Sequence, residues 1–139
     1  MIRHVFAVPE HRWTFRVYIA TDCTWNAEIL GHLERLGAPA WIIESSAANM
    51  ACGLMNAGLT YASPEERETL MVVEQTTTAA ELFNSVVHEL DHATLFTFPL
   101  VGITPGTEQA AYFKGGLARE IFPLIQPFLC DHCRHEIRK

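Results

Sequence analysis

Five residues near the middle of the chain, His88-Glu89-Leu90-Asp91-His92, have the types and spacing that metal-assisted hydrolysis requires. Two histidines four positions apart on a helix project from one face, one turn from each other. Both imidazoles can then bind a single tetrahedral zinc ion, Zn(2+), at about 2 Å each. Glu89, one position on, is rotated toward a water on the metal's open side, where it can act as general base. With this chain's counts of His and Glu, chance gives the His-Glu-x-x-His pattern in about 3 such sequences per 100. The ordinary alternative is two solvated histidines on a helix surface.

A zinc hydrolase needs a third protein ligand, with one position left for water. Glu108 follows His92 by sixteen residues, and Pro99, Gly102, Pro105 and Gly106 between them allow the chain to turn back. A second helix then runs beside the first, with Glu108, Tyr112, Gly115 and Arg119 on an inward stripe and Gly115 allowing close approach. Glu108 equally suits the positive end of its own helix. His4 and His11 stay open as third ligands, whereas Glu120 is too far along and Asp91 points away from the imidazoles. Asp91 fits support of His88 or plain solvation. Tyr112, one turn from Glu108, is a candidate donor to a tetrahedral oxyanion or else half-buried packing, and Arg119 is a weaker version of the same.

The elements that must position these residues can be read in order. Residues 14–21 are rich in β-branched and aromatic types and predict a strand. A helix over 24–36 follows, capped by Asp22 or Thr24 and stopped by Gly37 and Pro39. Trp41-Ile42-Ile43, Gly53-Leu54-Met55 and Leu59-Thr60-Tyr61 each suggest a short strand, and Pro64-Glu65-Glu66-Arg67 a polar turn. Residues 68–75 predict a strand leading into the best helix of the chain, over 78–97, where Thr78 and Glu81 have capping-box spacing. Pro99 sets its expected end. Its apolar arc holds Leu82, Phe83, Val86, Val87, Leu90, Ala93 and Thr94; its polar arc holds Glu81, Asn84, Ser85, His88, Asp91 and His92, with Leu95 among them. After a loop over 98–106, a helix over 107–122 precedes a tail from about residue 123.

The chain of 139 residues fits one domain. Its 49% apolar and 19% charged residues are those of an ordinary globular protein. A net charge of −6, with the ten Lys and Arg scattered, argues against nucleic acid as partner. Residues 1–10 lack the apolar run of a signal peptide, and no stretch approaches a membrane span. The four cysteines, Cys23, Cys52, Cys130 and Cys133, read as reduced thiols of a cytoplasmic protein. Cys130-Asp131-His132-Cys133-Arg134-His135 is half of a zinc-knuckle pattern without a second pair to complete it. The sequence carries no signal of oligomeric state.

The segment Val86-Val87-His88-Glu89-Leu90-Asp91-His92-Ala93 resembles the active-site helix of the zincin metallopeptidases, nearest in form to the gluzincin branch. The short chain and short His92-to-Glu108 distance are similar to minimal gluzincins and to small zincin-like proteins of phages and prophages. In those, a strand leads into the His-Glu helix, and a later helix opens with an acidic residue followed by Ala-Tyr, here Thr107-Glu108-Gln109-Ala110-Ala111-Tyr112. The likeness covers about residues 68–121. It implies an α+β, zincin-like fold, with a short mixed or antiparallel sheet packed against an N-terminal helix, the His-Glu helix and a ligand-bearing helix. It implies His88, His92 and Glu108 as ligands, Glu89 as base, and a peptide or protein substrate. Larger gluzincins have an aspartate where Tyr112 stands, and a separate substrate-binding domain. Two functions follow: a minimal metallopeptidase, with strand 68–75 pairing an extended peptide, or a non-catalytic zinc staple joining two helices.

Overall fold

The computed structural model describes residues 1–129. Four strands, β1 (Ile2–Val8), β2 (Trp13–Thr21), β3 (Gly58–Ser63) and β4 (Glu68–Glu74), form one mixed sheet in the order β1-β2-β4-β3. β1 runs antiparallel to β2, β2 parallel to β4, and β3 antiparallel to β4. Helices α1 (Asn26–Arg35) and α2 (Ala40–Asn49) follow β2, while α3 (Ala79–Val101) and α4 (Glu108–Ile125) follow β4. The protein is thus α+β, with helices on both faces of the sheet.

Strand alternation divides the core in two. Phe15, Val17, Ile19, Met71 and Val73 turn toward α3 and α4, where they meet Leu82, Val86, Leu90, Leu117 and Ile121. Tyr18, Leu70 and Val72 turn the other way, onto Ile29, Leu33 and Leu36 of the α1 region. A buried polar chain locks α3 to the sheet: the Trp13 indole donates to Thr69 Oγ1 at 2.8 Å, which lies 2.7 Å from Thr97 Oγ1. At the same end of β4, on the opposite face of the strand, Glu68 Oε2 accepts from Arg16 Nε at 3.1 Å and Arg35 Nη2 at 2.5 Å.

Several expectations change. β1 was not anticipated, because Arg3 and His4 interrupt its apolar alternation; as an edge strand it turns Arg3, Val5 and Ala7 to solvent. Trp41-Ile42-Ile43 belongs to α2, not to a strand: Pro39 starts a helix whose Ile43 joins the second core. Strand preference is context-dependent, and here packing decides. Residues 53–55 form no strand. α3 continues through Pro99 to Val101 and ends on Gly102 at φ 76°. The bond that Pro99 forfeits is to the carbonyl of Leu95, an exposed position, while Thr97 and Phe98 are seated in the interior. α4 likewise passes Pro123, because Ile125 and Phe128 fill the main core, so residues 123–129 are part of the domain and not a tail. Strand β4 has partners on both sides and cannot pair with a peptide; among the described residues, β3 is the strand with a free edge on this side of the sheet.

Cys23 and Cys52 are joined by a disulfide, which corrects their reading as reduced thiols. The α1–α2 hairpin returns the chain to the end of β2, so that two cysteines 29 positions apart have Cα atoms 5.0 Å apart. Cys130 and Cys133 lie outside the described residues. No helix among those described is long and apolar enough to cross a membrane.

Glu74 closes β4 with only 3% exposure, and its Oε1 has no hydrogen-bond partner among the described residues. Burial pushes its carboxyl up from 4.5 to about 7. The folded state then holds a proton that the unfolded state releases from about pH 4.5, so the contribution of Glu74 to stability falls as pH rises toward 7 and levels off above it. The loss amounts to something on the order of 3 kcal/mol. Denaturant unfolding at stepped pH should show this decline in the stability difference between the wild type and Glu74→Gln. Burial holds the His32 imidazole below its usual value and contributes in the opposite direction here, so the difference profile is the test: a Glu74→Gln profile parallel to that of the wild type across this window would refute the assignment.

Candidate metal centre

Local sequence sets the rotation of α3, and that rotation builds the site. Thr78 caps the helix by accepting from the backbone N–H of Glu81 at 3.1 Å. α3 packs against β3 and β4 and buries Leu82, Ser85, Val86, Glu89, Leu90, Ala93, Thr94 and Thr97. The buried stripe is therefore turned away from Phe83 and Val87, which are exposed, and toward Ser85 and Glu89. This corrects the apolar and polar arcs read from periodicity. The cause lies in β3, where Gly58, Thr60 and Ala62 alternate with Leu59 and Tyr61, the latter two facing the α1 core. A row of small side chains lets α3 come close enough to lay a carboxylate on the strand.

That carboxylate is Glu89. Its Oε2 accepts a hydrogen bond from Thr60 Oγ1 at 2.6 Å, and its Oε1 stands 4.0 Å from His88 Nε2. A Cβ at Gly58 would fall 2.7 Å from the Val72 carbonyl oxygen and 2.8 Å from Glu89 Oε1, so only glycine fits. Beside it, His88 and His92 place their Nε2 atoms 3.2 Å apart, with rings at 82°. Two nitrogens bound to one tetrahedral zinc are separated by about 3.3 Å, so the imidazole pair matches one edge of such a site. The His92 ring stacks on Phe96 at 5.2 Å, which restricts its rotation. The His88 side chain is 64% exposed and that of Glu89 only 8%. In front of them opens a cleft of about 450 Å³, walled by Asn49, residues 54–58, Asn84 and Ser85.

The other residues singled out by sequence lie elsewhere. α4 packs through Ala110, Leu117 and Ile121, so Glu108, Tyr112, Gly115 and Arg119 face outward instead of forming the expected inward stripe. Among the described residues, nothing lies within 4 Å of the Cβ position of Gly115, so no close helix contact occurs there. Tyr112, 78% exposed, lines a separate groove with Phe6, His11 and Arg119. Glu108 lines a depression with Asp91, Thr94, Leu95 and Lys114. Asp91 itself accepts from Lys114 Nζ at 3.3 Å, linking α3 to α4 and not supporting His88. His4 lies 3.7 Å from Glu120, and His11 packs on Phe113, both in the groove side of α4. Among the described residues, no group of three or more His, Cys, Asp or Glu is disposed to hold a metal. The site brings together His88, Glu89 and His92, and leaves Glu108 and Tyr112 apart.

Thr60 and Gly58 are the residues that sequence reading missed. The signal was present as Gly-x-Thr-x-Ala along one face of a strand, but its meaning depends on knowing that α3 lies over that face. Thr60→Val should leave a buried carboxylate oxygen without its donor and destabilise the protein by roughly 1–3 kcal/mol, with Thr60→Ser restoring most of it. Gly58→Ala should cost a similar amount, about 1–3 kcal/mol, through the clash with Val72 and Glu89. Denaturant unfolding measures both; wild-type stability in both Thr60→Val and Gly58→Ala would sink this account of the seat. No family model, curated protein or solved structure matches the chain, so the site is read from its own geometry.

Proposed function

We propose that this protein is a zinc-dependent hydrolase, a minimal metallopeptidase in which His88 and His92 hold the ion and Glu89 is the general base. One observation carries the reading: the two Nε2 atoms lie at the spacing of adjacent zinc ligands, with the buried Glu89 carboxylate beside them at the floor of an open cleft. A zinc ion bound there supplies Lewis acidity, acidifying a water and polarising a carbonyl. Glu89 uses its two oxygens differently. Oε2 is occupied by Thr60, which fixes the carboxylate plane, and Oε1 is the oxygen left to take a proton and return it to a leaving amine. The free edge of β3 offers backbone groups to an extended peptide entering past Ala57 and Gly58.

Glu108 stays the candidate third ligand. It sits at the first turn of α4, in the depression next along α3 from the histidines, and its recruitment requires that turn to shift toward His92. Tyr112 has no part in this reading. The alternative of a zinc staple has less to support it, since α3 and α4 are already joined by Phe98, Ile103, Ala110 and Phe113 and by the Asp91–Lys114 pair.

Protein purified without chelator should carry about one zinc per chain by elemental analysis. His88→Ala and His92→Ala should each lose it, and Glu108→Ala should weaken binding if α4 closes on the metal. Glu89→Gln should keep the zinc and lower hydrolysis of a mixed peptide pool by about 100-fold or more. A zinc-free wild type, or a Glu89→Gln variant as active as wild type, would falsify the reading.

A further inference from the structure

The cleft wall that faces α3 includes residues 54–57, the later part of an irregular segment over 51–57. Residues 51–56 are all exposed, and Gly53 and Asn56 have φ of 90° and 61°. The segment is anchored at its start by Met50, buried in the α1 core, whose carbonyl accepts from Asn26 Nδ2 at 2.6 Å. It is anchored at its end by Asn56, which donates its N–H to Gln75 O and accepts from Thr77 N–H, each at 3.0 Å. Between these anchors stand two turn contacts, Ala51 N–H to Ala48 O at 3.4 Å and Leu54 N–H to Ala51 O at 3.2 Å, and one covalent link, Cys52 to Cys23. Cys23 sits on a short 3-10 turn that Asp22 caps ahead of α1. Leu54 and Met55 are 53% and 42% exposed, and they line the cleft together with His88 and Glu89. Large apolar side chains left uncovered beside a polar floor mark a surface that a ligand covers.

We infer that the Cys23–Cys52 disulfide is a positioning element of the substrate cleft. It holds Leu54 and Met55 as a wall against which a bound peptide lays a bulky apolar side chain next to the scissile bond. The inference rests on the hydrolase reading and narrows it to one substrate class: extended peptides with a residue of leucine size at the cut. His88, Glu89 and His92 are carried by α3, which has its own seat on β3 and β4, so loosening the wall leaves them in place. A water-soluble phosphine breaks the bond cleanly: the S–S bond takes up two electrons and two protons to give two thiols. The phosphine becomes its oxide with the oxygen of one water.

The experiment compares the oxidised and phosphine-reduced protein, Cys23→Ser/Cys52→Ser, and Leu54→Ser/Met55→Ser, all zinc-loaded. It reads amide hydrogen exchange and cleavage of fluorogenic peptides with Leu or Asp at the scissile bond. Losing the disulfide should speed exchange across 51–56 by about tenfold while 86–92 hold. KM for the Leu peptide should rise about tenfold, with kcat within about twofold. Leu54→Ser/Met55→Ser, with the disulfide intact, should leave exchange unchanged and abolish the preference for Leu over Asp. Unchanged exchange at 51–56 without the disulfide overturns the tether, and a surviving Leu preference in the Leu54→Ser/Met55→Ser variant overturns the wall. Wild type that cleaves both peptides equally overturns this inference alone. Zinc-loaded wild type that cleaves neither overturns the hydrolase reading and the substrate class with it.

Discussion

α3 can approach the sheet only as closely as β3 permits, and the small faces of Gly58, Thr60 and Ala62 set that distance. The Glu89 carboxylate fills the space they leave, tied to Thr60 at 2.6 Å and tight against Gly58. Once this contact is made, the helix has one rotation available. Leu82, Val86, Leu90 and Ala93 then enter the main core, while His88 is carried to the cleft with His92 beside it, both outside that core. A larger residue at position 58 or 60 would push the helix outward or turn it. Either movement would unseat Glu89 and the histidine pair together.

The contact also shows how a carboxylate can be buried here. A carboxylate removed from water loses solvation and needs a donor in exchange. Thr60 supplies one to a single oxygen, so the group is held without being fully consumed. The histidines meet the opposite condition. They are accessible, in edge-to-face contact with each other, and His92 is braced by Phe96. One element thus presents a fixed, sheltered carboxylate and two more accessible imidazoles within two turns.

Much of this was legible from residue order. The His-x-x-x-His spacing placed both imidazoles on one face of a capped helix, and the strand-to-helix lead-in over β4 and α3 followed from β-branched runs and the Thr78 cap. What was not legible depended on long-range packing. Pro99 and Pro123 look like helix stops, yet Thr97, Phe98 and Ile125 have interior sites to fill, and burial outweighed the lost backbone bond. Ile42-Ile43 reads as strand until α2 is seen lying on the second core. The facing of α4 depends on which of its apolar residues reach the sheet. Leu117 and Ile121 do so, while Ala110 packs on Phe98 and Ile103, and that turns Glu108 and Tyr112 outward. The pairing of Cys23 with Cys52 arises from a two-helix hairpin that no local pattern announces.

The parallel pairing of β2 with β4 has a consequence for how the chain reaches this state. Trp13 and Thr69 meet across 56 positions, whereas Ser63 and Glu68 of the β3–β4 hairpin are neighbours in the chain. Ordering a long intervening segment carries an entropic penalty before any contact between β2 and β4 repays it. The hairpin is therefore the natural early structure, and docking of β2 the slow step. A bond between Cys23 and Cys52 shortens the free path between β2 and β3, since it removes the two helices from the loop that must close. Oxidation early in folding would then act as a kinetic aid, speeding assembly of the central strand pair on which every layer of the protein is stacked.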